Sequence, residues 1–282
     1  MSAPIPIRLG TRGSALAQKQ AGYIQKMLQK AYPHSLVTIH IIQTSGDRNP
    51  NPLSEIGGKN VFVKEIEVAL SAHQIDIGVH SFKDITARPS SDLVYGRYVT
   101  QERATDAVIM VTNRCLKTEP TRLATGSMRR QALCRMLYPL VTCEPIRGNS
   151  DTRITLTKER GYDGLILSTA GLQRLGLDHQ ITHELDPMDF VPAPGQGIIA
   201  LQHRANDTRI GDCLAAIGDN DTQKRGADYY RILEGIAFNC HCPLGVYYTP
   251  RREWRVFVEH MNHGHYMTYD SPEQVIHGLL TL

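Results

Sequence analysis

The sequence predicts an α/β chain: two lobes built on mixed, mainly parallel sheets, followed by a small α+β C-terminal domain. Three observations predict it. Strand-like apolar runs alternate with amphipathic helical runs through about the first 200 residues, a βαβ rhythm that implies parallel strands covered on both faces. Two corners share one signature, an apolar strand followed by an arginine-bearing turn and then a helix: Thr11-Arg12-Gly13-Ser14, and Thr125 through Ser127-Met128-Arg129-Arg130. The character changes near Asp219, where a helix and several short strands take over.

Residues 5–9 form the first predicted strand, and a helix over 14–30 follows, stopped before Pro33. Residues 36–43 alternate apolar and polar like a strand. The polar, Pro- and Gly-rich stretch 44–60 reads as a functional loop, because structureless connections of that length are uncommon in compact domains. A helix over 61–72 and a buried strand over 75–79 lead into His80-Ser81-Phe82-Lys83-Asp84. The second lobe begins near 100–106. It runs through a strand at 108–111, a strand at 122–125 and a helix at 127–137. A strand at 141–146 then delivers Arg147-Gly148-Asn149, and a helix at 150–158, a strand at 164–167 and a short helix at 170–175 complete the lobe. The hinge-like run Pro192-Ala193-Pro194-Gly195-Gln196-Gly197 precedes a strand at 198–203. The expected domains are therefore 1–98 with 198–216 returning to it, 99–197, and 217–282. The last holds a helix over 227–238, strands at 245–248, 255–260 and 266–269, and a helix over 272–280.

A length of 282 residues with 41% hydrophobic and 21% charged side chains is ordinary for a globular protein. A net charge of +3 argues for neither nucleic acid nor an anionic membrane surface. No apolar stretch approaches the roughly 18 residues a bilayer span needs, and the first residues lack a signal-peptide layout. A cytoplasmic location is the expectation. The six cysteines are scattered, which favours reduced thiols over a disulfide framework. Cys240-His241-Cys242 lacks the second ligand pair that zinc needs, so no metal is expected.

The chemistry lies at the strand ends. A strand-to-helix corner leaves backbone N–H groups beside the positive end of a helix dipole, which attracts anions. Arginine adds a planar fork that grips a carboxylate with two parallel bonds. Arg12, Asp84, Arg129, Arg130 and Arg147 all fall where ligands gather in open α/β sheets. An arbitrary arginine solvates a surface, and an arbitrary Lys83-Asp84 pair is a solvated turn; convergence at one end of the sheets favours a polyanion site. Arg129 and Arg130 are adjacent on a helix and are expected to face different ways, one packing and one binding. Asp84 would stabilise a developing cation or move a proton. Phe62 reads as core, Lys59 as a loop charge, and Cys240 as either a buried inert thiol or a nucleophile at a helix end.

Several of these segments together resemble the porphobilinogen deaminase (hydroxymethylbilane synthase) family of the tetrapyrrole pathway. They are 8–17, Thr44-Ser45-Gly46-Asp47, 57–65, 79–84, 127–130, Arg147-Gly148-Asn149 with Arg153, 170–174, 192–197 and 240–245. The resemblance implies two solute-binding-protein-like lobes and a third domain. It implies a transferase that joins four porphobilinogen molecules, with loss of ammonia, into the linear tetrapyrrole hydroxymethylbilane of heme biosynthesis. A dipyrromethane cofactor would hang from Cys240 through a thioether. Asp84 would stabilise the cationic pyrrole. Arg12, Ser14 and Lys83 in the first lobe would bind cofactor and substrate carboxylates. Thr125, Ser127, Arg129, Arg130, Arg147, Gly148, Arg153 and Arg174 would do so in the second. Lys59 and Phe62 would cover the site from the loop, and Gln196 lies at the crossing between lobes. The implied partner is porphobilinogen alone, with the chain a monomer. Phe238 and Asn239 stand where the family usually has two glycines. Two other readings remain: a degenerate non-catalytic paralogue, and a two-lobed binding protein for a polycarboxylate.

Overall fold

The structure is a computed structural model that describes residues 6–45, 62–237, 243–261 and 263–282. Its contacts divide the chain into two compact units, residues 1–101 with 198–230, and residues 102–197 with 231–282.

The first unit opens with β1 (Pro6–Arg12), α1 (Ala15–Ala31) and β2 (Leu36–Ile42). Ala17, Ala21, Ile24 and Leu28 are buried along α1, a helical repeat that seals one face of the sheet. Then come α2 (Lys64–Ser71), β3 (Ile77–Ser81) and β4 (Leu93–Gln101). Ile66, Ala69 and Leu70 of α2 pack with Ile75 and Leu93 in a second apolar cluster. Gly10 lets β1 approach that cluster closely, since a Cβ there would meet Ile75 Cδ1 at 2.1 Å.

The second unit follows with β5 (Asp106–Met110), β6 (Thr121–Ala124), α3 (Met128–Leu137) and β7 (Val141–Glu144). Next are α4 (Ser150–Glu159), β8 (Gly164–Ser168), α5 (Thr169–Leu175) and β9 (His183–Glu184). The chain then supplies β10 (Ile198–Arg204) and α6 (Thr208–Ala215) to the first unit. Last come α7 (Asn220–Gly235), β11 (Leu244–Tyr248), β12 (Trp254–His260), β13 (His263–Tyr269) and α8 (Pro272–Leu280).

The two larger sheets share a plan. In the first, the order is β2-β1-β3-β10-β4, with β1 parallel to β2 and β3 and β10 antiparallel to its neighbours. In the second, the order is β7-β6-β8-β5-β9, with β6 parallel to β7 and β8 and β5 antiparallel. The repeated corner in the sequence is thus the start of a repeated sheet topology, as the predicted α/β class requires. The third sheet, β11-β12-β13, is antiparallel; its Phe257 joins Phe190 and Val191 in the second unit's core.

Several elements differ from the expected ones. β1 runs on to Arg12, and β3 lies two residues later than predicted, so His80 and Ser81 belong to a strand paired with Ala200 and Ile199. β4 and α6 were not foreseen. Gly96 and buried Arg97 interrupt the alternation in β4, whose register shifts twice against β10. Gly211 breaks the helical signal in α6, which Asp207 caps through the Ile210 N–H.

Candidate active site

Arg12 closes β1, and Ser14 caps α1 by accepting from the Ala17 N–H at 3.3 Å. A guanidinium and a helix N-terminus therefore meet at one corner. At the end of β3, the 3-10 turn Phe82–Asp84 is anchored by fully buried Phe82, which packs on Tyr98 and Tyr229, while Asp84 stays exposed and Lys83 half-buried. A pocket opens here, walled by Arg12, Ser14, Phe62, His80, Ser81 and Asp84 among others. Phe62 is not core: its ring lies under the Arg12 guanidinium, 4.0 Å from centroid to the central carbon.

Two residues in this pocket carried no expectation. Gln20 is buried on the apolar stripe of α1 and donates from Nε2 to Ser81 Oγ at 2.9 Å; a glutamine on that stripe was the available signal. His80 is buried too, and burial pushes its imidazole down to about 4, a shift the Gln202 bond opposes and the Arg12 charge reinforces.

In the second unit, Ser127 caps α3 by accepting from the Arg130 N–H at 3.4 Å. Thr125 ties the turn together: its N–H donates to Glu144 O at 2.8 Å, and its Oγ1 accepts from the Ser127 N–H at 3.3 Å. Arg129 and Arg130 do not diverge. Arg129 Nη2 is 2.8 Å from Asp106 Oδ2, and Arg130 donates to Asp106 Oδ1 from both Nε and Nη2. Their remaining terminal nitrogens donate to Val191 O and Ile166 O. A long side chain can swing through a helical step, so adjacency did not keep the two apart. Gln196 joins them, its Nε2 within 3.1 Å of Asp106 Oδ1 and 2.6 Å of Ala104 O. Two guanidinium charges against one carboxylate leave net positive charge beneath the first turn of α3.

Arg147 is half-buried, and burial lowers its guanidinium from the usual range. Gly148 has φ +105, a left-handed conformation that suits glycine, and a Cβ there would strike Thr152 at 2.8 Å. Its carbonyl accepts from Arg153 Nε at 2.7 Å. Arg174 donates to Gly197 O and lies 3.3 Å from Glu102. The structure thus gathers Arg12, Ser14, Phe62 and Asp84 in one pocket, and Arg129, Arg130 and Gln196 around Asp106. Lys59, Cys240, His241, Cys242 and most of the 44–60 loop lie outside the described residues.

The family model described as "Porphobilinogen deaminase, dipyromethane cofactor binding domain" matches residues 7–212. The chain is 37% identical over 242 residues to a porphobilinogen deaminase of Syntrophobacter fumaroxidans, an alignment spanning 85% of this chain and 78% of that one. It is 40% identical over 246 residues to one from Acidithiobacillus ferrooxidans, spanning 86% and 80%. The chain belongs to the porphobilinogen deaminase family. Among solved structures, the VFT2 domain of BvgS from Bordetella pertussis aligns with a TM-score of 0.47 at 12% identity, covering 81% of this chain and 94% of that one. That likeness is too slight to bear on function.

The matched family model is that of a dipyrromethane-binding domain, and the side chains present fit such a group. Each of its pyrroles carries carboxylates, which Arg12 and the Ser14 corner can hold, and a ring N–H, which the Asp84 carboxylate can accept. Among the described residues, no helix is long and apolar enough to cross a membrane.

Proposed function

We infer that this chain is the transferase that joins four porphobilinogen molecules, with loss of ammonia, into hydroxymethylbilane. One observation carries the assignment of residues: an exposed carboxylate, Asp84, stands in a pocket walled by a guanidinium, two serines and a buried helix face. The dipyrromethane, when bound, supplies the nucleophilic pyrrole carbon to which substrate is added.

Asp84 is the catalytic residue of this reading. As the C–N bond of the substrate's protonated aminomethyl group breaks, the electron pair leaves with ammonia and the positive charge spreads over the pyrrole ring. A carboxylate beside that ring stabilises the charge. Asp84 would also accept the proton released from carbon when the new bond forms. Arg12, Ser14 and Lys83 hold substrate carboxylates and fix the ring against Asp84. On the second unit, Ser127, Thr125 and the first turn of α3 offer a carboxylate site. Arg129 and Arg130 supply charge to that site from below. Arg147, Gly148, Arg153 and Arg174 extend the set for a product that gains carboxylates with each addition. Phe62 covers the pocket, Lys59 is assigned to the same role by the family resemblance alone, and Gln196 braces the Asp106 cluster where the chain crosses back. Cys240 carries the thioether. The substrate is small, charged and water-borne, which fits a cytoplasmic location.

Intact-protein mass spectrometry after co-expression with substrate supply tests this. The chain should be heavier than its sequence by two linked pyrroles, with the adduct on the peptide containing Cys240. An unmodified mass would instead favour a non-catalytic paralogue or a polycarboxylate-binding protein.

A further inference from the structure

His80 walls the Asp84 pocket, yet none of the roles above uses it. Its Nε2 lies 3.1 Å from Gln202 Oε1, Gln202 Nε2 donates to Glu67 Oε1 at 2.8 Å, and Ser90 Oγ donates to Glu67 Oε2 at 3.1 Å. His80, Gln202 and Glu67 are 5%, 0% and 6% exposed, so water is no ready substitute for any of these partners.

Chemistry gives this chain of bonds one direction. A carboxylate only accepts, so Gln202 must turn its NH2 to Glu67 and its oxygen to His80. Nε2 therefore carries a proton, which leaves Nδ1 bare as long as the ring is neutral. A second proton on the ring would also meet unfavourable surroundings. The Arg12 guanidinium of β1 repels it and burial penalises it, while the neutral ring of Tyr95 from β4 stands edge-on at 6.2 Å with Tyr230 of α7 behind it. Glu67 of α2 is the carboxylate behind Gln202, and Asp84 is the one in the pocket itself.

We propose that Gln202 and Glu67 fix His80 in its Nε2-protonated form while its buried place beside Arg12 keeps the ring neutral, making it a positioning residue that withholds a competing positive charge from the wall shared with Asp84. This rests on Asp84 stabilising a cationic pyrrole. An imidazolium in the same wall would repel that cation and pair with the carboxylate meant for it. A histidine is useful there because its neutral ring fills a buried polar position. The amide relay draws a second proton onto the ring less strongly than a carboxylate placed directly on Nε2 would.

Nitrogen-15 spectra of the full-length, histidine-labelled protein should show His80 protonated at Nε2 and bare at Nδ1 from pH 8 down to about 5, with the signal assigned by its loss in His80→Gln. Gln202→Glu sets a carboxylate on Nε2–H and should populate the imidazolium near neutrality. Turnover should then fall roughly ten-fold at pH 7, with KM little changed, and recover as pH rises toward 9. Adding His80→Gln to Gln202→Glu, which restores a ring-sized neutral amide, should rescue the loss at pH 7. A charged His80 in the native protein at pH 7, or a loss in Gln202→Glu that is equal at every pH and is not rescued, overturns the proposal. The spectra need no turnover. They can therefore fail while Asp84→Asn still abolishes activity, or hold while Asp84→Asn proves active, and so the lock and the role of Asp84 are separated.

Discussion

Arg130 places both Nε and Nη2 on a single oxygen of Asp106, at 3.1 and 2.6 Å. The carboxylate is fully buried and also faces Arg129 across 2.8 Å. Two buried cations depend on it, so its removal leaves both buried without their counterion. Asp106→Asn should destabilise the protein by about 3–5 kcal/mol, read as a lowered urea midpoint. A loss below about 1 kcal/mol would mean that the arginines find water or other acceptors. Because Gln196 also donates to this carboxylate, the variant should loosen the 192–197 segment to proteolysis.

Asp84 makes a sharper prediction, because its substitution should leave folding intact. It is exposed at the end of a turn anchored by Phe82, and an amide of the same shape fits there. Asp84→Asn should keep the bound pyrrole adduct by mass, yet lose about a hundred-fold or more in turnover, the scale of a removed charge stabiliser. Turnover within a few-fold of the native protein would take Asp84 out of the reaction.

What was legible in the sequence was local. A strand that turns into a capped helix is written in consecutive residues, and so the corners at Arg12–Ser14 and Ser127–Arg130 could be read directly. Asp84 followed from its place after an apolar run. The relay through His80, Gln202 and Glu67 joins positions separated by 122 and 135 residues, and no local pattern encodes it. Asp106 is a similar case: as an acidic residue opening an apolar strand it gives a weak hint, while its meaning depends on Arg129 and Arg130, 23 and 24 positions away. By residue type alone Phe62 reads as core, because aromatic residues usually are, while the resemblance puts it over the site; its contact with Arg12 shows that the ring is not core.

That contact can be tested. The Phe62 ring holds the Arg12 guanidinium through its face, a contact worth about 0.5–1 kcal/mol at a half-exposed site. Phe62→Leu keeps apolar bulk and removes the face. It should raise KM for porphobilinogen about two- to five-fold with little change in kcat, whereas Phe62→Tyr should preserve KM. Equal effects of Leu and Tyr would exclude the ring face as the cause.

Asp76 clamps the two strands that lead to the Arg12–Ser14 corner and the Asp84 turn. It lies just before β3, and its carboxylate accepts from Arg8 N at 2.9 Å, from Arg8 Nε at 3.0 Å and from Arg204 Nη2 at 3.3 Å. Burial alone would raise its pKa, but the Arg8 side-chain bond, the Arg8 backbone bond and charge, and the Arg204 bond together bring it below the usual carboxylate value. A carboxyl whose folded pKa is depressed stabilises the fold above its unfolded pKa, about 3.9, and loses that contribution as pH falls through the folded value. Urea midpoints of the native protein and Asp76→Asn should therefore lie far apart at pH 6 and draw together below about pH 4. A gap that stays constant from pH 6 to pH 3 would show that the clamp acts through shape and not through its charge.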